Sequence, residues 1–509
     1  MTHPSTALVL LSERDNVAVA ITGLQPGQTY AAADKSVLPR EPIAAGHKVA
    51  LRPIAQGEPV LKYGQTIGVA TRPIAPGEHV HVHNVAMVAS QAGHQFGSHY
   101  RPTEPSEGAA TFMGIVRADG RVATRNYLGI VSSVNCSATV CQRIAQHFTP
   151  EVLRAYPQVD GVVSITHGQG CGMAGSGESM DVLRRTLRGY ADQPNFAGVL
   201  VMGLGCEVNQ VAGLVQDLPP RPAGLLETLK IQDAGGTREA IAAGIAAIER
   251  MLPLANAVQR VPVSASHLTV GLQCGGSDGY SGISANPVLG AAVDLLVRQG
   301  GTAILSETPE IYGAEHLLMA RAASNTVAQR LMARLQWWEN YTQTHGADMN
   351  NNPSPGNKAG GITTILEKSL GAVAKGGSTG LMEVYEYAER VQRHGLVFMD
   401  TPGYDPVSAT GQVAGGANLI CFTTGRGSTY GCKPTPSLKL ATHSALFKRM
   451  RLDMDFDAGT VVDGRQTIAQ AGQQLFTLML DTASGQRTCS ESNGLGDNEF
   501  VPWQLGAVM

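Results

Sequence analysis

The first 95 residues alternate short apolar runs with glycine and proline turns. The turns repeat an Ile-Ala-x-Gly pattern at residues 43–46, 54–57 and 74–77, with a degenerate copy at 24–27. The apolar runs between them include Val17 to Ile21, Lys48 to Leu51 and Thr66 to Ala70. Short strands separated by such turns at close spacing are typical of all-β folds. We therefore predict a compact all-β module over residues 1–95.

The pattern changes after residue 111. Residues 96–111 are polar and aperiodic, which indicates a linker. Beyond it, apolar runs alternate with helical patterns, as in Tyr127 to Val134 followed by Thr139 to His147. Similar apolar runs recur at Gly161 to Thr166, Gly198 to Met202, Leu268 to Leu272, Thr302 to Leu305, Leu396 to Met399 and Ala417 to Phe422. This alternation predicts α/β domains whose parallel strands are buried on both faces.

A second boundary is expected after the helical pattern of Thr237 to Met251. The chain then divides into a middle α/β domain, residues 112–262, and a C-terminal α/β domain, residues 263–509. Because a linker precedes residue 112, we expect the first module to have a core of its own. Its removal would then leave the α/β remainder folded.

Composition narrows the range of partners. The chain has 38 Lys and Arg against 41 Asp and Glu, without long runs of either sign, so we expect no nucleic-acid or membrane partner. The N-terminal apolar run from Ala7 to Leu11 is too short for a signal peptide, and no run approaches the roughly 20 residues of a membrane span. We predict a cytoplasmic protein with eight reduced cysteines.

Four cysteines share one local context, each just past an apolar run and most beside glycine: Cys136, Cys171, Cys206 and Cys274. The carboxyl ends of parallel strands meet at one edge of a sheet, so these thiols could converge on one cleft. Thiolates favour iron or zinc. No pair has C-x-x-C spacing, which argues against a zinc ribbon or a ferredoxin. The alternative is that small cysteines simply pack well at strand ends.

Histidines form a second group. His79, His81 and His83 alternate along a predicted strand and so project from one face, while His47 follows a glycine turn. With a carboxylate such as Asp15, these imidazoles could hold a divalent cation. The alternative, which we favour for His79, is an exposed polar strand face.

Other candidates stand beside glycines or strand ends, namely His167, Asp278, Glu307, Glu310, Asn357 and Lys358. A glycine-flanked Asp or Lys in a loop is more often a turn residue than a catalyst. Arg426 lies between two glycines, where a guanidinium can clamp a carboxylate. Neither G-x-x-x-x-G-K-[ST] nor G-x-G-x-x-G is present, so a nucleotide-dependent oxidoreductase has little support.

Taken together, the motifs resemble those of the altronate and galactarate dehydratase family. The matching segments are Asp15-Asn-Val-Ala-Val, Gly46-His-Lys-Val-Ala-Leu, Lys62-Tyr-Gly, His79-Val-His-Val-His-Asn, Arg125-Asn126, Gly203-Leu-Gly-Cys-Glu207, Cys274-Gly-Gly-Ser-Asp278, Asn286-Pro287, Asn352-Pro-Ser-Pro-Gly-Asn-Lys358, Thr424-Gly-Arg-Gly427 and Asp457-Ala-Gly459. The resemblance implies a β-clip (SAF-like) N-terminal domain, a middle α/β domain, a Rossmann-like C-terminal domain, and dependence on Fe²⁺ or Mn²⁺.

The implied reaction is the dehydration of a C6 sugar acid, most simply D-altronate to 2-keto-3-deoxy-D-gluconate. We assign the metal to His47, His81, His83 and Asp15 with help from the four cysteines. The assigned catalytic residues are Lys358 or His167 as the base, with Asp278 and Glu207. The assigned substrate-binding residues are Arg426, Arg125, Asn126 and Asn357.

The segments Pro309 to Met319 and Lys358 to Thr364 and the histidine-rich strand resemble the altronate branch more closely. Galactarate dehydration is the alternative, and a related sulfolactate sulfo-lyase differs in being divided between two chains. A non-catalytic protein that only binds a sugar acid is a third possibility, which metal content and keto-acid formation would distinguish. A homo-oligomer, most simply a dimer, is the expected assembly.

Overall fold

The N-terminal module is built from short antiparallel strands. The computed structural model describes residues 7–88 and 95–506. The strands of the module are β1 (Leu8–Val9), β2 (Val17–Ala20), β3 (Tyr30–Ala32), β4 (Lys35–Val37), β5 (Lys48–Ala50), β6 (Pro59–Lys62), β7 (Gln65–Ala70), β8 (His79–Val80) and β9 (Val85–Ala86). They form the sheets β1-β2-β5-β8 and β6-β7-β9 and the hairpin β3-β4. The predicted all-β module is confirmed.

The repeated glycine turns explain this architecture. Gly46, Gly57 and Gly77 have φ of 83°, 80° and 82°, a left-handed conformation that glycine adopts without strain. The isoleucines that open the repeats are buried, and Ile54 and Ile74 pair across the module in an isolated bridge. Each repeat thus reverses the chain and anchors the turn in the core.

The middle unit contains a four-stranded parallel sheet in the order β13-β12-β14-β15. Its strands are β10 (Thr111–Val116), β11 (Val122–Ala123), β12 (Tyr127–Ser132), β13 (Gly161–Ile165), β14 (Phe196–Gly203), β15 (Leu226–Lys230) and β16 (Val261–Ser264). Its helices are α1 (Ala138–His147), α2 (Pro150–Leu153), α3 (Glu178–Ala191), α4 (Val211–Val215) and α5 (Thr237–Asn256). Strand β10 pairs antiparallel with β11 and β16, and the predicted boundary at residue 262 lies inside β16.

The last unit is built on a seven-stranded parallel sheet in the order β19-β20-β18-β17-β21-β22-β23. These strands are β17 (Thr269–Cys274), β18 (Thr302–Leu305), β19 (Leu381–Tyr385), β20 (Gly395–Met399), β21 (Leu419–Thr424), β22 (Ser437–Ala441) and β23 (Phe456–Asp457). The α/β prediction is confirmed. The strand order reverses direction at β17, and β17 and β21 are the neighbours beside which such sheets bind ligands. A Rossmann sheet has six strands, and β19 is a seventh strand that lies outside β20. The Rossmann-like description of this unit therefore stays a prediction.

The helices of the last unit cover both faces of that sheet. They are α6 (Ala285–Arg298), α7 (Glu315–Met319), α8 (Asn325–Thr344), α9 (Pro355–Ala359), α10 (Ile365–Ala372), α11 (Asp405–Ala414), α12 (Ser444–Arg449), α13 (Gly459–Val462), α14 (Ile468–Ala483) and α15 (Cys489–Ser492). Among residues 7–88 and 95–506, no helix has the length and apolar character that a bilayer crossing needs.

The N-terminal module shares part of its core with the last unit. Leu8 and Val49 belong to a buried apolar cluster that the module forms by itself. Val17, Val60 and Ile67 belong to the same buried apolar cluster as Leu289 and Leu370 of the last unit. Helix α10 packs against β7, and the Thr364 hydroxyl donates to the Ile67 carbonyl. The expectation that the module has a core of its own thus holds for one of its two clusters, whereas the face of β7 is covered by α10.

A buried ionic group reinforces this contact. The Glu367 carboxylate on α10 accepts hydrogen bonds from Lys48 Nζ at 2.9 Å and Lys62 Nζ at 2.8 Å, and all three side chains are at least 98 % buried. Burial alone would raise the pKa of Glu367, but the two ammonium groups outweigh it and hold that pKa well below its usual range. Burial lowers the pKa of Lys48 to about 8.

We expect Glu367→Gln to lower the free energy of unfolding by about 3–5 kcal/mol, because it leaves two buried ammonium groups without a counter-charge. Chemical denaturation followed by circular dichroism measures this loss. The control is Glu227→Gln, which removes the exposed ion pair with Arg250 and should change stability little. Equal effects of the two substitutions would contradict a structural role for the buried group.

Deletion of residues 1–95 should leave a remainder that binds hydrophobic dyes and aggregates, because the apolar face under the module becomes exposed. Size-exclusion chromatography and dye fluorescence measure this outcome. A monodisperse remainder that unfolds cooperatively would restore the independent-core interpretation.

Candidate functional site

A cleft of about 1310 Å³ opens between the N-terminal module and the last unit. The module contributes His47, which follows the Gly46 turn and precedes β5. The last unit contributes Asp278, Arg426 and His443, which follow β17, β21 and β22. These side chains come from the carboxyl ends of neighbouring parallel strands, where open α/β sheets bind ligands.

Three glycines let the two units approach closely at the cleft wall. A Cβ atom on Gly279 would lie 1.9 Å from the Gly46 carbonyl oxygen, and one on Gly361 would lie 2.3 Å from it. The Gly279 amide donates to the Gly360 carbonyl at 2.8 Å. Only residues without a side chain fit this crossing, so glycine at these positions fixes His47 beside the loop that carries Asp278.

Three imidazoles form a cluster on the module side. His47 Nδ1 lies 2.9 Å from His79 Nε2, and ring nitrogens of His47, His79 and His81 all lie within 4.8 Å of one another. Burial lowers the pKa of His47, that of His79 to about 4 and that of His81 to about 3, so all three are neutral near pH 7. The buried His81 Nδ1 has no hydrogen-bond partner among the described residues. Neutral imidazoles with an unpaired buried nitrogen fit a divalent metal ion.

Two residues of the predicted ligand set lie outside this cluster. His83 is exposed, because β8 ends at Val80 and the next residues form a turn in which the His81 amide donates to Asn84 Oδ1. His79, which we had interpreted as an exposed residue, takes its place. Asp15 is buried and accepts from the amides of Tyr63 and Gly64, so its carboxylate stabilises that turn.

Asp278 and His443 form a pair inside the cleft. Asp278 Oδ2 lies 3.8 Å from His443 Nε2 and accepts from the Thr442 hydroxyl at 3.1 Å. Burial raises the pKa of Asp278. His443 Nδ1 accepts from the Leu446 amide, so neutral His443 carries its proton on Nε2, which faces the carboxylate. Asp278 remains a candidate catalytic residue.

Arg426 is exposed and lines the cleft, and its amide donates to the Gly276 carbonyl. Lys358 is half-buried and precedes Ala359, whose carbonyl lies 3.3 Å from His47 Nε2. Asn357 is a structural residue, because its amide group donates to the Ser277 carbonyl and completes a capping box at α9. Of the predicted substrate-binding residues, Arg426 alone faces the cleft.

Arg125 and Asn126 are not available to a substrate. Arg125 is buried and donates all five N–H groups, two to Glu491 and three to backbone carbonyls. The Asn126 side chain bonds Arg117 and the carbonyls of Gln158 and Ala255. Both residues join elements of the fold.

His167 and Glu207 are likewise occupied by the loops of the middle unit. His167 Nε2 lies 3.0 Å from the Ser132 carbonyl and its Nδ1 accepts from the Gln169 amide, while burial lowers its pKa to about 4. Glu207 accepts from the Ser133 hydroxyl and the Gly205 amide. Neither residue lines the cleft, so the catalytic roles predicted for them are not supported.

The four predicted cysteines separate into two groups. Cys136, Cys171 and Cys206 are exposed at the edge of the middle sheet, whereas Cys274 is buried in the last unit. Cys274 Sγ lies 2.8 Å from Lys375 Nζ and 3.1 Å from Glu310 Oε2. The expectation that all four thiols converge was wrong, because they follow strands of two different sheets.

Cys274, Glu307 and Glu310 also lie close enough to hold a metal ion. In this structure ammonium groups occupy them, with Lys375 Nζ 2.6 Å from Glu307 and Lys368 Nζ 2.6 Å from Glu310. Burial raises the pKa of Glu307 to about 8. The ammonium groups of Lys375 and Lys368 therefore compensate the negative charge of Glu307 and Glu310.

The sequence reasoning missed His443, Tyr280 and the Lys48–Glu367–Lys62 group. His443 follows β22 in Ala441-Thr-His, so including that apolar run among the strands would have identified it. Tyr280, whose hydroxyl donates to the Ile21 carbonyl, gave no signal in sequence because its partner is remote in the chain.

The chain matches three sequence families in succession. Residues 6–88 match the altronate/galactarate dehydratase SAF domain, residues 114–256 the D-galactarate dehydratase/altronate hydrolase second domain, and residues 265–508 the D-galactarate/altronate dehydratase C-terminal domain. These matches follow the order of the three units of the fold.

Curated relatives match over nearly their full length. Altronate dehydratase of Escherichia coli K12 is 37 % identical over 94 % of this chain and 95 % of its own. Galactarate dehydratase (L-threo-forming) of the same strain is 38 % identical over 97 % and 96 %. Altronate dehydratase of Bacillus subtilis 168 is 34 % identical over 96 % and 97 %. The chain therefore belongs to the altronate/galactarate dehydratase family of sugar-acid dehydratases with an N-terminal SAF domain.

Proposed function

We propose that this protein is a metal-dependent hydro-lyase that converts D-altronate to 2-keto-3-deoxy-D-gluconate. One observation carries the proposal: His47, which belongs to a cluster of three neutral imidazoles, lines the same cleft as a buried carboxylate and one arginine. Relatives of similar identity act on altronate and on galactarate, so the family supports the reaction class and the cleft supports the choice of acid.

The reaction removes a weakly acidic proton next to a carboxylate and expels hydroxide from the neighbouring carbon. His47, His79 and His81 are the residues that would hold Fe²⁺ or Mn²⁺, because imidazole nitrogen suits both ions and these nitrogens converge. When bound, such an ion supplies a Lewis acid for the negative charge that develops on the carboxylate.

Asp278 is our candidate general base. Burial raises its pKa, which strengthens the carboxylate as a proton acceptor. The Thr442 hydroxyl donates to its Oδ2 atom and so orients it, and His443 Nε2 lies 3.8 Å from the same oxygen. A Cβ atom on Gly425 would lie 2.1 Å from Asp278 Cγ, so the glycine of the Arg426 loop makes room for this carboxylate. Lys358 precedes Ala359, which lines the cleft, but does not line the cleft itself, so the catalytic role predicted for it is not part of this proposal.

Charge favours an acid with one carboxylate. Within the part of the chain that the structure describes, Arg426 is the one lysine or arginine that lines the cleft, and Asp278 and Asp463 line it as well. A single guanidinium can clamp the carboxylate of an aldonate in a bidentate manner. A second carboxylate, as in galactarate, would meet acidic side chains without a cationic partner.

Chelation should abolish dehydration, and Fe²⁺ or Mn²⁺ with a thiol reductant should restore it. His79→Ala should lose bound metal and at least about 100-fold in kcat/KM, because it removes one of three converging ligands. His83→Ala is the matched control, since His83 is exposed on the same segment and should retain both. Full activity of a metal-free preparation would contradict the proposal.

Asp278→Asn should lower kcat about 10²–10⁴-fold while changing KM little, because the amide keeps the shape of the side chain but cannot accept a proton. Steady-state kinetics, with thermal unfolding to verify folding, measure the effect. A raised KM with unchanged kcat would instead assign Asp278 to substrate binding.

A panel of C6 aldonates and aldarates, assayed for 2-keto-3-deoxy products with Fe²⁺ and reductant, tests the reaction and substrate together. We expect kcat/KM for D-altronate to exceed that for galactarate by roughly a hundredfold or more, since an unpaired charge in a desolvated site costs several kcal/mol. Arg426→Lys should lower turnover of both acids, because the planar fork is lost. A preference for galactarate would reverse the substrate assignment and keep the reaction class.

A further inference from the structure

Three cysteines on the middle sheet have no role in the cleft. Cys136, Cys171 and Cys206 are free and exposed, whereas the other five cysteines are buried or half-buried. Each follows one of three adjacent parallel strands, in the spatial order β13-β12-β14. The carboxyl ends of these strands meet at one edge, so the three thiols lie on one side of the middle sheet.

Hydrogen bonds join the three loops that carry these cysteines. The Asn135 amide donates to the Gln169 carbonyl at 3.0 Å, and the Asn209 amide donates to the Gly170 carbonyl at 3.0 Å. Asn209 Nδ2 also donates to the Ser133 carbonyl at 2.9 Å. The loop after β12 therefore contacts both of its neighbours, which places Cys136 between the loops of Cys171 and Cys206.

Two further contacts hold the loops at short range. A Cβ atom on Gly170 would lie 2.4 Å from the Ser133 carbonyl oxygen, so glycine permits the approach of the first two loops. The Glu207 carboxylate bonds both the Ser133 hydroxyl and the Gly205 amide, which ties the third loop to the first. The buried side chains of Glu207 and His167 therefore hold these loops in position.

At this edge of the middle sheet, the candidate metal-ligand atoms are the sulfur atoms of the three cysteines. Within these three loops, both ring nitrogens of His167 and both oxygens of Glu207 already bond protein atoms. A tetrahedral structural zinc site needs four protein ligands, and the loops offer three thiols. Iron–sulfur clusters are held by cysteine thiolates. Among the described residues, these three thiols are not one of the groups whose ligand atoms all lie within 4.8 Å of one another, so a group larger than a single ion fits them better.

We propose that Cys136, Cys171 and Cys206 bind a four-iron, four-sulfide cluster (4Fe–4S) through three thiolates. The fourth iron then has no cysteine ligand and binds water or a small oxygen ligand. This site is separate from the histidine cluster of the cleft and does not depend on the proposed function.

An iron without a cysteine ligand is released on mild oxidation. The 4Fe–4S cluster of charge +2 gives one electron to ferricyanide and loses one Fe²⁺, which leaves a 3Fe–4S cluster of charge +1. The three thiolates remain bound throughout.

The test uses the full chain, purified without oxygen and reconstituted with ferrous iron and sulfide. We expect about four acid-labile sulfide per chain, with about four iron for the cluster and about one more if the histidine cluster is also filled. Cys136→Ala, Cys171→Ala and Cys206→Ala should each lose most of the sulfide. The control Cys489→Ser replaces a half-buried cysteine of the last unit and should retain it. Circular dichroism verifies that each variant is folded.

Ferricyanide titration gives the second measurement. Electron paramagnetic resonance should show the signal of a 3Fe–4S cluster in the unmodified chain and in Cys489→Ser, and no such signal in the three alanine variants. Three results would each overturn the proposal: zinc without sulfide, sulfide that is unchanged in all three folded variants, or a cluster that resists loss of iron on oxidation. Neither measurement depends on dehydratase activity.

Discussion

The carboxylate of Glu367, buried between Lys48 and Lys62, is the interaction on which the assembly of the site depends. It joins α10 of the last unit to two strands of the N-terminal module with no exposed charge. Both ammonium groups have this one carboxylate as their counter-charge, so any slip between the units would leave charge buried without a partner. The group therefore specifies how the module sits on the last unit.

This docking determines the geometry of the cleft. Lys48 is adjacent to His47 in sequence, so fixing the lysine ammonium on Glu367 fixes the imidazole at the cleft wall. Lys48 Nζ also donates to the Gly361 carbonyl at 2.5 Å, in the loop that crosses Gly46. The Asp15 carboxylate accepts from the backbone amides of the turn that follows Lys62 and so stabilises that turn. Neither unit contains a complete site, because the imidazoles lie on one and the carboxylate and guanidinium on the other.

The parts of the fold predictable from sequence are those set by local rules. The Ile-Ala-x-Gly turns and the alternation of apolar runs with helical patterns depend on neighbouring residues, and both predictions were confirmed. The histidine cluster depends on the register of β5 with β8, which places Val49 opposite His79, and on the end of β8 at Val80. Period-two alternation could not reveal that end, so it selected His83 in place of His79.

The motif residues show a second limit. Arg125, His167 and Glu207 have the chemistry of a site, but each bonds main-chain groups of loops or helices, and the residue type alone does not distinguish these uses. The same holds for the four cysteines, whose identical local contexts lie on two different sheets.

The last unit compensates buried acids with lysine rather than leaving them as ligands. Lys48 and Lys62 neutralise Glu367, Lys375 contacts Glu307 and Cys274, and Lys368 contacts Glu310. A cation that enters the Cys274 group would have to displace a buried lysine ammonium. That lysine would then be left without water and without its acidic partners, which is unfavourable. Among the described residues, the imidazoles of His47, His79 and His81 form no ion pair with a lysine or an acid, and His81 Nδ1 is unpaired. Of the two groups with enough donors, the histidines are therefore the one that keeps an unpaired nitrogen, His81 Nδ1, and in which no ammonium ion has to be displaced by a metal.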